Sequence, residues 1–541
     1  MSRSPLFDNL TRAIRLALFC ENNRISTSQG LEWLAAMEET AHHQRLRRRE
    51  LLALGALGTL GAIAGHASRA DAAPKPKSST SVGIVGAGFA GLTCAYELQR
   101  NGIMATLHEA SDRVGGRCYS LGNNFFPGQV AERGGEFIDN LHKTLIGYAR
   151  EFGLTLEDVT KQPGEVFYYF NGQRYPESVV VDEFRALVSA MQADLRTLSS
   201  APTADSHNEA DVRLDRTNLQ DYLDSRQAGN VVKAAIKASY EAEYGLPIDQ
   251  QSCLNFLLFI HADRRSKFTP FGVFSDERYH VVEGNDRITQ GLRDRLQGSV
   301  KLGMKLLRVR QTGTKQIELT FQNGSRTTSA TYDAVVLAIP FTTLRQVELD
   351  ASLGLPATKV QAIQQLGYGN NAKMMLGFNG RPWLPSSNGS SYSDLPNHQT
   401  TWETNPAKAT STQAILTDYS SGDRALRLKA NNVQTEADRF LNDLNRVYPG
   451  SKAVATKING QYRVHLEPWP SNPLTKGSYT CYTPGQFTSI AGNEGKPVGN
   501  LHFAGEHANS FYEWQGFMEG AALSGIQAAN EILQDLKAGR L

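Results

Sequence analysis

The hydrophobic and polar positions of this chain follow their clearest pattern between residues 81 and 109. A short apolar run, Val82–Val85, has the length of a buried strand, and an apolar repeat at helical spacing follows over residues 90–99. A second apolar run over residues 104–108 leads directly to Glu109. The pattern predicts a strand, a helix and a second strand, with a carboxylate at the end of the second strand.

Three glycines lie in the first turn of this unit. Gly86, Gly88 and Gly91 have the spacing G-x-G-x-x-G, which allows a tight turn, a close approach of a phosphate to the backbone, and close packing of the helix on the strand. The N–H groups at the helix start can bind phosphates, and Glu109 can accept hydrogen bonds from ribose hydroxyls. We therefore predict a dinucleotide site without a 2′-phosphate. The alternative is a glycine-rich turn that binds no ligand.

The remaining chain alternates between glycine-rich stretches with short strands and a more helical region. Helical periodicity dominates residues 141–279, and the glycine-rich pattern returns near residue 280 and beyond residue 465. We predict an α/β fold in which separated segments build a Rossmann-like dinucleotide domain, beside a substrate domain of sheet and helices with a helical insertion. The dinucleotide domain takes residues 80–140, 280–345 and 465–541, and the substrate domain takes residues 141–279 and 346–464.

Charge and cysteine content exclude several classes of protein. The 541 residues include 56 Lys and Arg against 54 Asp and Glu, so no strongly basic field indicates a nucleic-acid partner. The five cysteines are scattered without a C-x-x-C pair, and the twelve histidines show no spacing typical of metal ligands. The sequence therefore predicts neither a disulfide framework nor a metal site.

Residues 1–72 have the pattern of an N-terminal extension with a twin-arginine export signal. Arg47-Arg48-Arg49 precede an uncharged run over residues 51–65, and a small-residue site at residues 70–72 follows. The run is too short and too glycine-rich to be a membrane span, so we expect no stable membrane insertion. We expect an exported protein, periplasmic or secreted, with a cytoplasmic protein as the alternative. The role of residues 1–46 and the true start stay open, and we leave residues 1–72 out of the predicted fold.

Further motifs extend the pattern across residues 80–541. They are EASDRVGGR, ERGGEFID, DAVVLAIP, AKMML, TKGSYTCYTPG and FAGEHANSFYEWQGFMEGAALSG, in this order along the chain. With VGIVGAGFAGL before them, the chain resembles the flavin-containing amine oxidases, which include monoamine oxidase, polyamine oxidase and L-amino-acid oxidase. The resemblance implies a bound FAD and two domains with the flavin between them.

The resemblance also implies roles for individual residues. Lys373 matches a lysine that is bridged by water to flavin N5, and Tyr479 and Phe517 match an aromatic pair that frames the amine, with Trp514 beside them as a further catalytic candidate. Ser478 stands where some members tether FAD through a cysteine, so non-covalent FAD is implied. From residue types alone, Lys373 could be an edge lysine and the aromatics could be core residues. The residues implied to hold FAD are Gly86, Gly88, Phe89, Ala90, Gly91, Glu109, Gly116, Arg117, Gly134, Gly135, Glu136, Gly505, Glu506, Gly516, Phe517 and Met518.

The implied reaction is oxidation of the C–N bond of a primary amine or L-amino acid, with hydride transfer to flavin and reduction of O2 to H2O2. Relatives that act on amino acids carry an arginine for the substrate carboxylate, and Phe137 holds the matching position, which favours a simple amine. Glu403 and Glu467 are candidates for selecting a basic substrate. A dehydrogenase that passes electrons to a quinone or carrier shares every motif. Two alternatives are less favoured: an NAD(P)-linked dehydrogenase and a non-catalytic flavin-binding protein. The oligomeric state stays open, and a homodimer is one option.

Overall fold

The computed structural model describes residues 5–34, 80–126, 128–159, 164–262, 277–313, 315–405, 411–510 and 514–541. The predicted export signal, with its arginines at residues 47–49 and its cleavage site at residues 70–72, lies outside the described residues.

A five-stranded parallel sheet is built from three separated pieces of the chain. Its strands, in spatial order, are β22 (Leu501–Phe503), β13 (Ala334–Leu337), β1 (Val82–Val85), β2 (Thr106–His108) and β9 (Val300–Lys301). All four residues of β1 are buried, because both faces of the sheet are covered. The predicted strand–helix–strand unit is confirmed.

Two helices pack on this sheet at close range. The helix α2 (Phe89–Arg100) follows β1, and the last helix, α14 (Met518–Lys537), lies against it. A Cβ on Gly525 would lie 2.2 Å from the carbonyl oxygen of Ala90, so only glycine allows this approach. Phe89 and Met518, the first residues of these helices, line the same cavity as Glu109.

A seven-stranded sheet forms a second large unit. Its strands, in spatial order, are β21 (Val464–Pro468), β15 (Asn371–Phe378), β18 (Ala414–Ser421), β17 (His398–Glu403), β16 (Ser387–Leu395), β6 (Glu165–Phe170) and β7 (Gln173–Tyr175). Every residue of β15 is buried, and Lys373 lies within it. The lysine is therefore not on an exposed strand edge, which removes the alternative that it points to solvent.

A smaller mixed sheet, in which β10 and β14 are parallel and the other neighbours antiparallel, and several two-stranded pairs make up the other described strands. The four-stranded sheet contains β12 (Arg326–Tyr332), β11 (Gln316–Asn323), β10 (Lys305–Thr312) and β14 (Glu348–Leu349). The pairs are β3 (Ser120–Phe126) with β4 (Gln129–Glu132), β5 (Leu156–Asp158) with β8 (Tyr279–Val281), and β19 (Lys457–Ile458) with β20 (Gln461–Tyr462).

The helical region agrees closely with the predicted periodicity. Its helices are α3 (Lys143–Glu151), α4 (Glu177–Thr197), α5 (Glu209–Asp215), α6 (Leu219–Ser225), α7 (Asn230–Tyr244) and α8 (Leu254–Ala262). A hairpin joins β6 and β7, where Asn171 and Gly172 both have positive φ, as a tight two-residue turn requires. The remaining helices are α9 (Asp286–Arg295), α10 (Phe341–Leu344), α11 (Ala357–Gln365), α12 (Gly422–Arg427) and α13 (Val433–Val447), with short 3₁₀ turns at Ala351–Leu353, Ala430–Asn432, Trp469–Ser471 and Glu506–Ala508.

The N-terminal residues pack into this helical region. Helix α1 (Pro5–Asn23) lies on α4 and α7, and its residues Leu10, Ala13 and Ala17 have no exposed surface. Arg12 donates two hydrogen bonds to the carboxylate of Glu177 at the start of α4. Leaving residues 1–72 out of the fold was therefore wrong for residues 5–34, whose apolar face covers part of the core. Among the described residues, no helix is long and apolar enough to cross a membrane.

Candidate active site

The turn after β1 has the shape that a dinucleotide requires. Gly86 has a φ of 103°, which favours glycine, and a Cβ on Gly91 would lie 1.9 Å from the carbonyl oxygen of Gly86. A Cβ on Gly88 would meet no atom within 4 Å, so this backbone faces open space at the start of α2. The three glycines therefore have the separate roles that their spacing predicts.

Glu109 lies beside this turn at the end of β2. Its carboxylate accepts hydrogen bonds from the N–H of Ala87, at 2.7 Å, and from the N–H and hydroxyl of Ser111, at 2.8 and 2.9 Å. These bonds fix the carboxylate at the mouth of the cavity described below, which Glu109 lines. A carboxylate has about four lone-pair sites, so it can accept further hydrogen bonds from ribose hydroxyls.

Two arginines line the next part of the cavity. Arg117 donates to the carboxylate of Glu506, at 2.9 Å, and to the carbonyl of Ser478, which ties the first glycine segments to the last segment of the chain. Arg113 donates to two backbone carbonyls and lies 3.7 Å above the ring of Tyr119. Both guanidinium groups thus stand near the glycine turn in fixed positions.

One continuous cavity of about 590 Å³ joins the glycine turn to a group of aromatic side chains. Its volume is in the range of sites that bind cofactors and small ligands. It is bordered at one end by Gly88, Glu109 and Arg117, and at the other end by Lys373, Tyr479, Tyr419, Trp402, Phe137 and Phe517.

The aromatic end is organised by the seven-stranded sheet. Strand pairing places Tyr419 of β18 directly opposite Lys373 of β15, and Glu467 of β21 opposite it on the other side. Tyr419 packs against Trp402 with ring centres 5.3 Å apart, and its hydroxyl lies 2.7 Å from that of Tyr479. The result is a pocket with mostly apolar walls and a few fixed polar groups.

Lys373 is held at the junction of the two ends. Its Nζ donates to Glu136 Oε2 at 2.6 Å and to the carbonyl of Gly134 at 2.7 Å, with a longer contact of 3.4 Å to the carbonyl of Glu132. Trp402 donates its indole N–H to Glu136 Oε1 at 2.9 Å. Both members of the ion pair are buried, with side-chain exposures of 6% and 2%.

Comparisons with known proteins identify the family. The model of the flavin-containing amine oxidoreductases matches residues 89–533. The chain belongs to this family. An L-amino-acid oxidase of Naja atra is 25% identical over 465 residues, covering 83% of this chain and 87% of the relative, and one of Siganus canaliculatus is 26% identical over 476 residues, covering 85% and 87%.

Solved structures of flavin-containing amine oxidoreductases share the fold. Cyclohexylamine oxidase from Brevibacterium oxydans IH-35A superposes with a TM-score of 0.72 at 22% identity, over 85% of this chain and 99% of that one. Putrescine oxidase bound to putrescine superposes with a TM-score of 0.68 at 20% identity, over 84% and 99%. The predicted α/β fold with a Rossmann-like domain is confirmed.

The cofactor of this family member is FAD, and the cavity fits it. The open backbone at Gly88 and the starts of α2 and α14 can receive the phosphates, and Glu109 can bind the ribose. Ser478 is buried and bonds to Asn371, and a hydroxyl forms no thioether, so the flavin is held without a covalent bond. The other predicted cofactor residues that line this cavity are Phe89, Ala90, Gly116, Gly134, Gly135, Glu136, Gly505, Gly516 and Met518.

The glycine pair Gly134 and Gly135 lies in close contact with neighbouring protein atoms. A Cβ on Gly134 would lie 1.7 Å from the carbonyl oxygen of Arg117, and a Cβ on Gly135 would lie 2.7 Å from the sulfur of Met518. Protein packing therefore requires both glycines, although the segment also lines the cavity. The neighbouring Glu132 is fully enclosed, and burial raises its pKa to about 8, against hydrogen bonds from Asn285 and Ser120 that lower it.

Trp514 does not line the cavity, contrary to the prediction. Its ring packs on His142 with centres 4.5 Å apart and on Phe517 at 5.5 Å, and it borders a separate pocket with Asn509. The cause lies in the local backbone, because the helix begins at Met518, later than the sequence pattern indicates, and Trp514 has a φ of 97°. Phe517, at the start of that helix, does line the cavity.

Sequence reasoning missed Tyr419 and Trp402. Neither belongs to a recognisable motif, and the register of β15, β18 and β17 alone places them near Lys373. Both acidic candidates are paired with arginines. Glu403 binds Arg381 and Trp383 away from the cavity, while Glu467 lines the cavity and pairs with Arg133.

Proposed function

We propose that this flavoprotein oxidises the C–N bond of a primary amine. The substrate carbon loses a hydride to FAD and its nitrogen loses a proton, which gives an imine that water converts to a carbonyl compound and ammonia. O2 then takes two electrons and two protons from the reduced flavin and leaves as H2O2. The flavin supplies the hydride acceptor when bound, and the protein supplies binding, orientation and electrostatics.

The observation that carries this proposal is the continuity of the cavity. The nucleotide-binding turn at Gly88 and the aromatic end at Tyr479 line one cavity, which Lys373 also lines. A flavin with its phosphates at the glycine turn needs such a continuous space to bring its ring system to a substrate. A scaffold that only binds flavin has no need of the polar groups fixed at the aromatic end.

The aromatic end favours the neutral form of an amine. An ammonium group has no lone pair to stabilise the developing iminium, so the substrate must lose a proton before oxidation. Tyr419, Trp402, Phe137 and Phe517 provide largely apolar walls that disfavour a buried charge. The charged groups nearby, Lys373 and Glu136, neutralise each other at 2.6 Å.

The arginines described in the cavity support an amine without a carboxylate. Arg113 binds backbone carbonyls, Arg117 binds Glu506, and Arg133 binds Glu467 while it stacks on Tyr119 at 3.9 Å. Phe137, at the position where amino-acid oxidases carry an arginine, lines the cavity and packs on Trp402. Within the described residues, each of these guanidinium groups is therefore already engaged.

An L-amino-acid substrate is the second candidate. The relatives from Naja atra and Siganus canaliculatus are L-amino-acid oxidases that align over more than four fifths of this chain. On this alternative, Arg133 would have to exchange its bond to Glu467 for one to the substrate carboxylate, since it is a bidentate donor at the edge of the cavity.

We further propose that the protein is exported through its twin-arginine-type segment. Twin-arginine export carries folded proteins, which suits an enzyme that loads its cofactor before export. Cleavage at residues 70–72 would remove residues 5–34 and expose the core that Leu10 and Ala13 cover, so the burial of α1 requires export without that cleavage.

Peroxide release from the purified holoenzyme in air tests the proposed function. A panel of primary amines and L-amino acids is offered, and we expect peroxide with amines and little with amino acids. Peroxide with amino acids alone would contradict the amine proposal and favour the second candidate. Flavin reduction without peroxide would indicate a dehydrogenase that passes electrons to another carrier.

A further inference from the structure

The Lys373–Glu136 pair is built so that each partner is already satisfied. Lys373 directs its ammonium group to Glu136 and to two backbone carbonyls, and Glu136 uses one oxygen for Lys373 and the other for the indole of Trp402. The pair stands at the junction between the nucleotide-binding turn and the aromatic end. Glu136 was implied only as a residue near the cofactor, and its contacts give it a more specific place.

The other charged groups around Lys373 are occupied by different partners. Glu467, opposite Lys373 in the sheet, pairs with Arg133. The carboxylate of Glu132 accepts hydrogen bonds from Asn285 and Ser120, and only its backbone carbonyl faces Lys373. Tyr419 presents its ring, whose centre lies 5.9 Å from Nζ. Glu136 is therefore the carboxylate bonded to this ammonium among the described residues.

We propose that Glu136 is a positioning residue that fixes Lys373 in the cavity. The carboxylate accepts a charge-assisted hydrogen bond from Lys373 Nζ at 2.6 Å, which holds the buried side chain in one position. Trp402 fixes the carboxylate in turn. The kinetic consequence rests on the proposed function, whereas the effect of Glu136 on Lys373 does not.

The geometry distinguishes this role from direct contact with a substrate. Both carboxylate oxygens of Glu136 already have a donor within 2.9 Å, and its side chain is 2% exposed. So little of this carboxylate is exposed that Lys373 and Trp402 remain its main partners. Glu136 is therefore expected to act through Lys373, and its effect must vanish when Lys373 is absent.

A double-mutant cycle tests that dependence. The rate of flavin reduction by substrate without oxygen is measured for the wild type, Glu136→Gln, Lys373→Met and the double variant. We expect Glu136→Gln to slow reduction at least about tenfold in the wild type and to change it less than about twofold in the Lys373→Met background. Equal effects in both backgrounds would overturn the proposal. If Glu136→Gln does not load FAD, Glu136→Asp, which keeps the charge, carries the same cycle.

Chemical labelling of Lys373 gives a second readout that requires no substrate. Cyanate carbamoylates neutral amines, and peptide mass spectrometry follows the modification of Lys373 in the holoenzyme. We expect labelling at neutral pH to rise at least about fivefold in Glu136→Gln, because the variant lacks the carboxylate that binds and holds the buried amine. The matched control is Glu403→Gln, which breaks the buried pair with Arg381 outside the cavity and leaves Lys373 labelling unchanged.

Unchanged Lys373 labelling in Glu136→Gln would also overturn the proposal. A wild-type holoenzyme whose flavin no amine or amino acid reduces would contradict the proposed function instead. The labelling result would still decide whether Glu136 holds Lys373, so the two failures are distinguishable.

Discussion

The hydroxyl oxygens of Tyr479 and Tyr419 lie 2.7 Å apart at the aromatic end of the cavity. Tyr479 also donates to the backbone carbonyl of Ala242 at 3.1 Å, so its single proton is used there and Tyr419 is the donor within the pair. This bond joins a strand of the seven-stranded sheet to the last segment of the chain. It therefore fixes the orientation of Tyr479, which the family resemblance implies as a substrate-framing residue.

Replacement of Tyr419 by Phe tests the importance of this orientation. The variant keeps the ring but removes the donor, and one lost neutral hydrogen bond is worth about 1 kcal/mol, so we expect kcat/KM to fall about fivefold. Steady-state kinetics measure the change. Tyr448→Phe is the control, because this buried hydroxyl bonds to Ser387 away from the cavity. Equal losses in both variants would contradict a role for the Tyr479–Tyr419 bond.

Glu109 is predicted to control affinity for FAD. Replacement by Gln removes the charge that holds the N–H of Ala87 and that would accept ribose hydroxyls, at about 1.5–3 kcal/mol for a charged hydrogen bond. The dissociation constant of FAD should rise at least about tenfold, as measured by quenching of flavin fluorescence during reconstitution. Glu97→Gln, which affects an exposed pair with Arg100, should leave it unchanged. Unaltered affinity in Glu109→Gln would show that the ribose is bound elsewhere.

The dinucleotide site could be predicted from sequence because its physics is local. The turn, the helix start and Glu109 lie within one stretch of chain, and each glycine there has its own steric reason. The aromatic end could be predicted only in part, since Tyr419 and Trp402 reach Lys373 through strand register between distant segments. No periodicity within one segment specifies such a register.

Helix α1 is predicted to contribute to the stability of the whole protein. Leu10 is completely buried against the helical region, so Leu10→Ala should lower the free energy of unfolding by about 2–5 kcal/mol. Denaturant unfolding measures this loss. Asn22→Ala, at an exposed position of the same helix, should cost little. A negligible effect of Leu10→Ala would contradict the integration of α1 into the fold.

The place of α1 in the fold could not be predicted from its own sequence. The arginine-rich segment that follows it indicates a leader, and a leader is normally outside the fold. The packing of α1 depends on the complementary apolar face of α4, which lies more than 150 residues further along the chain.

The position of Trp514 outside the cavity could not be predicted for a related reason, since its positive φ turns the chain before the last helix begins.

Buried His398 should make stability depend on pH. Burial lowers its pKa from 6.5 to about 3, and its ring nitrogens bond to the hydroxyls of Ser391 and Ser393. Between pH 6.5 and pH 3 the unfolded chain binds one more proton at this residue than the folded protein does. The contribution of His398 to the free energy of unfolding therefore falls as pH falls, by about 1.4 kcal/mol per pH unit. The free energies of unfolding of the wild type and of His398→Gln are compared across this pH range.

The difference in unfolding free energy between these two proteins should therefore shrink steadily below pH 6.5. Taking the difference removes the contributions of other titrating groups that both proteins share. A difference that stays constant between pH 6.5 and pH 4 would show that His398 is not buried in its neutral form.

Anaerobic mixing of the purified holoenzyme with primary amines tests the central claim most directly. The absorption band of oxidised flavin at about 450 nm reports hydride transfer without any dependence on the electron acceptor. We predict that at least one amine bleaches this band in the wild type, and that Lys373→Met slows the bleaching. If no amine or L-amino acid bleaches a flavin that dithionite still reduces, the chain is not an amine-oxidising enzyme.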